Sequence, residues 1–138
     1  MNSAHVFSLV STIAALQWLI LIILPKFKVT TWLITYAPVP ILFSLFYAFY
    51  IAGFFNIPGA GFGSITEVRT LFSNDNLLLA GWIHYLAFDL LIGFHILKSA
   101  QSNSIPHFLV IPCLILTFMF GPCGYLIYQI IFKLNSKK

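Results

Sequence analysis

The chain has 138 residues, of which 60% are hydrophobic, 17% aromatic and 7% charged, far below the charged share of roughly 25% in a soluble domain. That balance excludes a water-soluble globular fold and predicts a polytopic membrane protein, all-α, with residues 1–138 forming a single transmembrane domain. The formal charge of +4 comes from Lys26, Lys28, Arg69, Lys98, Lys133, Lys137 and Lys138. These lie at segment ends and in connections, which excludes a continuous basic stripe for nucleic acid and suits headgroup anchoring.

Spans of roughly 20 residues are expected in chain order at 6–24, 29–55, 77–97 and 108–132, making a four-helix transmembrane bundle. The first span has no basic region before it and reaches Leu24-Pro25-Lys26 without a small-residue cleavage site, so it reads as a retained helix and not a signal peptide. Pro25 stops it, and the short link to Lys28 makes an antiparallel helix pair with the second span. Pro38 and Pro40 interrupt the second span; Pro112 and Gly121-Pro122-Cys123-Gly124 interrupt the fourth. Breaks of this kind free carbonyls that neighbouring helices must satisfy. Between spans two and three, residues 56–76 contain a Gly-rich piece too short for a phosphate loop. A short amphipathic helix then starts at Ser64-x-x-Glu67, a capping box. Cys113 and Cys123, read on one continuous helix, lie about 15 Å apart and do not bridge.

An even number of spans puts both termini on one side. Four cations there (Arg69 and the three C-terminal lysines) against three opposite (Lys26, Lys28, Lys98) favour cytoplasmic termini under the positive-inside rule. The expected location is the bacterial cytoplasmic membrane.

The third span, Leu77–Leu97, carries Trp82, His84, Tyr85, Asp89 and His95 in an otherwise apolar run. A charged group at mid-bilayer costs about 3 kcal/mol or more, so such residues mark a working interior. With His84 at zero and about 100° per residue, Tyr85 falls near 100° and Asp89 near 140°. His84 and Asp89 thus flank one face, where an imidazole and a carboxylate could act as general acid and base. Alternatively each hydrogen-bonds a neighbouring helix through carbonyls freed near Pro38, Pro112 or Pro122. The opposite sector, with Ile83, Leu90 and Phe94, suits lipid or a flat helix contact, and these three are expected mostly at the outer surface. His95 belongs at headgroup level, and His5 and His107 are terminal or precede a span.

Glu67 and Arg69 are two apart, on different faces of the short helix, so they do not simply pair with each other. They are either solvated at the membrane edge or fold over the bundle mouth, with Arg69 expected within hydrogen-bonding reach of Asp89. No pair among His84, Asp89 and Glu67 has the i, i+3 or i, i+4 spacing of helical metal ligands, so no metal site is expected. Phe43, Tyr47, Tyr50 and Phe54 recur at helical spacing, a stripe that either packs or receives a flat or polyene ligand.

Thr66-Glu67-Val68-Arg69-Thr70-Leu71-Phe72, Leu79-Ala80-Gly81-Trp82-Ile83-His84-Tyr85-Leu86-Ala87-Phe88-Asp89-Leu90 and Phe120-Gly121-Pro122-Cys123-Gly124 resemble the abscisic-acid-deficient-4-like family of small membrane proteins from bacteria and plastids. The resemblance covers roughly residues 64–128 and is to the bacterial branch, since no plastid transit segment precedes the first span. Plant members are implicated in forming neoxanthin from violaxanthin, an epoxide opening coupled to loss of a ring-adjacent proton that leaves an allene. The resemblance therefore implies an acid for the epoxide oxygen and a base for the carbon-bound proton, without redox change. His84 and Asp89 match those roles.

The leading expectation is a cofactor-light enzyme, isomerase-like, acting on a carotenoid or other isoprenoid lipid. Its catalytic candidates are His84, Asp89, Glu67 and Arg69, and its substrate-binding candidates Trp82, Tyr85, Tyr47 and Tyr50. The competing expectation is a non-catalytic carotenoid or lipid carrier, or an assembly subunit. The expected partners are a membrane lipid or carotenoid, with room for a second copy or another membrane protein and none for nucleic acid.

Overall fold

The computed structural model describes residues 2–53 and 57–135; Phe54, Lys137 and Lys138 lie outside them. Every regular element among these residues is a helix: α1 Ser3–Ile23, α2 Lys28–Tyr36, α3 Pro38–Ile51, α4 Ile65–Phe72, α5 Asp75–Ser102, α6 His107–Phe120 and α7 Pro122–Asn135. Three stretches are long and apolar enough to cross a membrane: α1, α2 continuing into α3, and α5.

Helix α5 is the axis of the molecule and touches α1, α3, α4, α6 and α7. Asn74 starts it, its side chain accepting from the backbone nitrogens of Asn76 and Leu77 at 3.0 and 3.3 Å, as an N-cap does. Because α5 is surrounded, its apolar sector is core. Ile83 and Leu90 are fully buried and Phe94 is 5% exposed, which corrects the expectation that these three face lipid. The outward strip of α5 is instead His84, Phe88, Leu91 and His95, four residues that cluster within about 60° of helix circumference.

Helix α1 packs on α5 through Val6, Val10, Ala14, Gln17, Trp18 and Leu21, a stripe at three- and four-residue spacing. Hydrogen bonds tie the pair at both ends. Ser3 Oγ donates to Asn76 Oδ1 at 2.8 Å, while at the other end Gln101 Nε2 donates to Pro25 O at 2.7 Å; there His107 Nε2, at the start of α6, also meets Ile22 O at 2.8 Å. The helices are therefore parallel and in full register.

Helices α2 and α3 meet at Ala37, whose φ of 44° is left-handed. The residue before a proline is pushed out of the right-handed helical region, and Pro38 then opens α3 at a position where its missing N–H costs nothing.

The fourth expected span, 108–132, is two helices of 14 residues each folded back on one another. A Cβ at Gly124 would overlap the Thr117 backbone nitrogen and the Cys113 carbonyl oxygen. On a continuous helix Cys113 and Gly124 would stand about 16 Å apart. The reversal occurs at Gly121, with φ 44° and ψ −97°. From there α7 runs alongside α5 and in its direction: Tyr125 faces His95 with ring centroids 6.0 Å apart, and Tyr128 Oη donates to Ser99 Oγ at 2.7 Å. Asn2 and Asn135 consequently lie at opposite ends of α5, which corrects the even-span count. The distance along one helix does not apply to Cys113 and Cys123 either; both are free thiols, one buried and one exposed.

In lipid, helix association rests on close packing more than on hydrophobic transfer, so the α6–α7 contact depends on the missing Cβ of Gly124. Gly124→Ala should destabilise the detergent-solubilised protein by about 3 kcal/mol, the upper range of overpacking costs, whereas Gly53→Ala, with nothing within 4 Å, should change it by less than about 0.5 kcal/mol. Denaturant titration of the two variants beside the parent measures the difference; equal midpoints would contradict the folded-back pair.

Candidate functional site

Asp89 is the fifteenth of the 28 residues of α5 and is only 8% exposed. Its carboxylate lies against the α6–α7 turn: a Cβ on Gly121 would come within 2.8 Å of Oδ1 and 3.4 Å of Oδ2. Oδ2 is buried and has no hydrogen-bond partner. One turn earlier on the same face, Tyr85 Oη donates to the Phe118 carbonyl at 3.0 Å, so α5 holds the returning hairpin from both sides of its tip. One turn later is Gly93, covered by the Trp18 ring, which also packs on Phe118 at 5.6 Å between centroids.

Trp18 Nε1 and both amide atoms of Gln17 are likewise buried and without hydrogen-bond partners. Buried polar groups left unpaired cost on the order of 1–3 kcal/mol each, so each of these stands out inside a packed bundle. Gln17 and Trp18 escaped the reading of the sequence. The available signal was a glutamine within the otherwise apolar run Ile13–Ile23.

Beside this centre a cleft of about 810 Å³ runs along the N-terminal half of α5, between α1 and α4. Asn2, Ser3 and Asp75 stand at its outer end, Phe7 and Trp82 on its walls and Tyr85 at its inner end. The cleft follows from the hairpin. Leu78, Trp82, Tyr85 and Asp89 share one face of α5, near 100–160° from His84 by about 100° per residue; α6 and α7 turn back at Asp89 and leave the earlier half of that face uncovered. Trp82 is fixed there, Nε1 donating to Ser11 Oγ at 2.9 Å and its ring lying 5.2 Å from Phe7 and 5.4 Å from Tyr85.

The other expected site residues fall elsewhere. His84 is exposed on the outward strip, stacked on Phe88 at 4.6 Å and 5.4 Å from the Tyr47 ring, and makes no hydrogen bond to Asp89. Tyr50 is buried on α3 and borders a separate groove of about 580 Å³ with Leu42, Leu45, Phe46 and Phe49. Glu67 caps α4: Ser64 Oγ accepts from the Glu67 nitrogen at 3.2 Å and Glu67 Oε2 accepts from the Gly63 nitrogen at 2.9 Å. Arg69 is exposed and its side chain has no hydrogen-bond or ion-pair partner among the described residues. The expected Arg69–Asp89 contact is absent because α4 turns Leu71 and Phe72 inward, Leu71 buried and Phe72 lying over Gly81. Arg69, about 200° from Leu71 around the helix, points away. Among the described residues no three His, Cys, Asp or Glu side chains gather as metal ligands.

A family model described as ABA DEFICIENT 4-like matches residues 5–128. The chain belongs to the ABA DEFICIENT 4-like family. No curated protein and no solved structure matches it. The ABA DEFICIENT 4-like match takes in Gln17, Trp18, Tyr85, Asp89 and the Gly121 turn, and ends at Tyr128, the residue that fastens α7 to Ser99.

Gly121 carries two constraints at once, a left-handed φ and proximity to Asp89. Gly121→Ala should cost about 1–2 kcal/mol for the backbone plus the clash with the carboxylate. Asp89→Ala should remove only the second part, giving a coupling of about 1 kcal/mol or more in a double-mutant cycle. Additive effects would separate Asp89 from the turn.

Proposed function

We propose that this chain is a membrane-embedded enzyme of the bacterial cytoplasmic membrane that acts on a carotenoid or related isoprenoid lipid by acid–base chemistry. In this reading α1, α2–α3 and α5 cross the bilayer, and α6–α7 is a re-entrant hairpin whose tip stands at the depth of Asp89. The observation that carries the proposal is the Asp89 carboxylate: buried, with one oxygen unpartnered, one turn beyond the tyrosine that ends a cleft open to the side.

An intramembrane carboxylate without a cationic partner is a costly feature whose usual meaning is functional. Opening an epoxide with loss of a neighbouring carbon-bound proton adds one proton to oxygen and removes one from carbon. A single carboxyl group that gives and takes back a proton therefore balances the reaction, and Asp89 serves it without His84. Trp82 and Phe7 offer flat apolar walls to an isoprenoid, and Tyr85 offers a hydroxyl where the cleft meets Asp89.

The carrier reading is favoured by one observation: His84, the second acid–base candidate, faces outward between Tyr47 and Phe88. A carrier needs the cleft alone.

Asp89→Asn keeps the size of the side chain and removes its proton transfer. It should lower turnover of a co-purifying isoprenoid by about 10²–10⁴-fold while the protein stays folded and loaded, and His84→Gln should lower it by less than about tenfold. Mass spectrometry of bound lipid before and after incubation reads both. Full turnover in folded, loaded Asp89→Asn would eliminate the enzyme and leave the carrier; no bound isoprenoid in the parent would eliminate both.

A further inference from the structure

We propose that the cleft is loaded sideways from the non-cytoplasmic leaflet and accepts lipids whose polar end carries no negative charge. The inference rests on the reading of the cleft as a ligand site. It follows from where the α6–α7 reversal puts the charges. Since α7 returns towards the C-terminal end of α5, Lys133 joins Lys26, Lys28 and Lys98 at that end. At the opposite end stands Arg69, accompanied by Glu67 and Asp75. Among the described residues the cation count is four against one, where a continuous fourth span would leave the two sides nearly equal. Short cation-rich connections stay cytoplasmic, which sets the C-terminal end of α5 inside and the N-terminus, α4 and the cleft mouth outside.

The cleft extends from Asp75 to Tyr85, ten residues of helix or about 15 Å, which is one leaflet of a hydrocarbon core about 30 Å thick. It holds one end of a long isoprenoid with its polar terminus at the mouth. That mouth offers Asn2, Ser3 and Asp75, and among the described residues no Lys, Arg or His borders the cleft. A phosphate or carboxylate headgroup would meet a like charge with no cationic side chain among the described lining residues to offset it, which works as rejection. A hydroxylated or cationic end meets hydrogen-bonding groups instead.

Two measurements on the full chain test this. Alkaline phosphatase fused to the C-terminus should be inactive in intact cells, and an N-terminal epitope tag should be removed by protease added to spheroplasts. An active C-terminal phosphatase, or a protected N-terminal tag, overturns the loading side. For the headgroup, the purified protein in nanodiscs is photolabelled with a diazirine-bearing long-chain alcohol or with the same chain ended in phosphate, and adducts on the Trp82 peptide are counted. The alcohol should label at least tenfold more, and Asp75→Asn and Asp75→Lys should narrow and then reverse that preference. Equal labelling of the parent, or a preference that survives in folded Asp75→Lys, overturns the selection. Orientation and labelling are read without turnover: an inverted chain that still converts its isoprenoid removes this inference alone, and a labelled, correctly oriented chain with no conversion removes the enzyme alone.

Discussion

The chain reversal at Gly121 is the constraint on which the rest of the molecule depends. It needs a residue without a side chain at φ 44°, a proline able to open the next helix, and a second glycine at 124 so that the returning helix can lie on the backbone of the first. With these in place, α6 and α7 stop at the middle of α5. A straight fourth helix would cover the whole of the α5 face that carries Leu78, Trp82, Tyr85 and Asp89. The reversed one covers half, and the uncovered half is the cleft.

The same reversal explains how a carboxylate is accommodated in the bundle. Asp89 lies where α6 ends and α7 begins, the place where helical backbone groups are not all taken up by their own helices. Tyr85 secures one of these, the Phe118 carbonyl, and keeps the tip seated. The opposite wall is α1, whose Trp18 ring fills the space over Gly93 and against Phe118. Three elements thus meet at one depth, each bringing a polar group into an interior otherwise made of Leu, Ile, Phe and Ala. Such an interior is held by shape more than by apolar transfer, because lipid is as apolar as leucine. Small residues at the contacts therefore carry unusual weight.

The placement of α4 also follows from its amphipathic pattern. Ser64 and Glu67 close its first turn, Leu71 enters the bundle, Phe72 lies over Gly81, and Arg69 is left outside. The wall of the cleft near its mouth is consequently an aromatic ring, Phe72, and not a cation. Asp75 and the start of α1 border the same cleft.

Much of this was legible in the residues themselves. The apolar runs, the prolines at 25 and 38, the capping box at Ser64 and the oddity of Asp89 within an apolar run are local features, set by propensity, hydropathy and the cost of burying charge, and the family resemblance carried by the Trp82–Asp89 and Gly121–Gly124 motifs agrees with the matched family. What local pattern could not decide was which face of each helix meets a neighbour. Helical periodicity distinguishes a polar face from an apolar one, but in a membrane an apolar face suits lipid and protein equally. Ile83, Leu90 and Phe94 therefore went inward, and His84 outward, for reasons that lie in α3, α6 and α7. The direction taken after Gly121 was likewise undecidable from sequence, since a Gly-Pro break serves a kink as well as a reversal. Only the contact between Gly124 and the Cys113–Thr117 backbone, eleven and seven residues earlier in the chain, distinguishes the two.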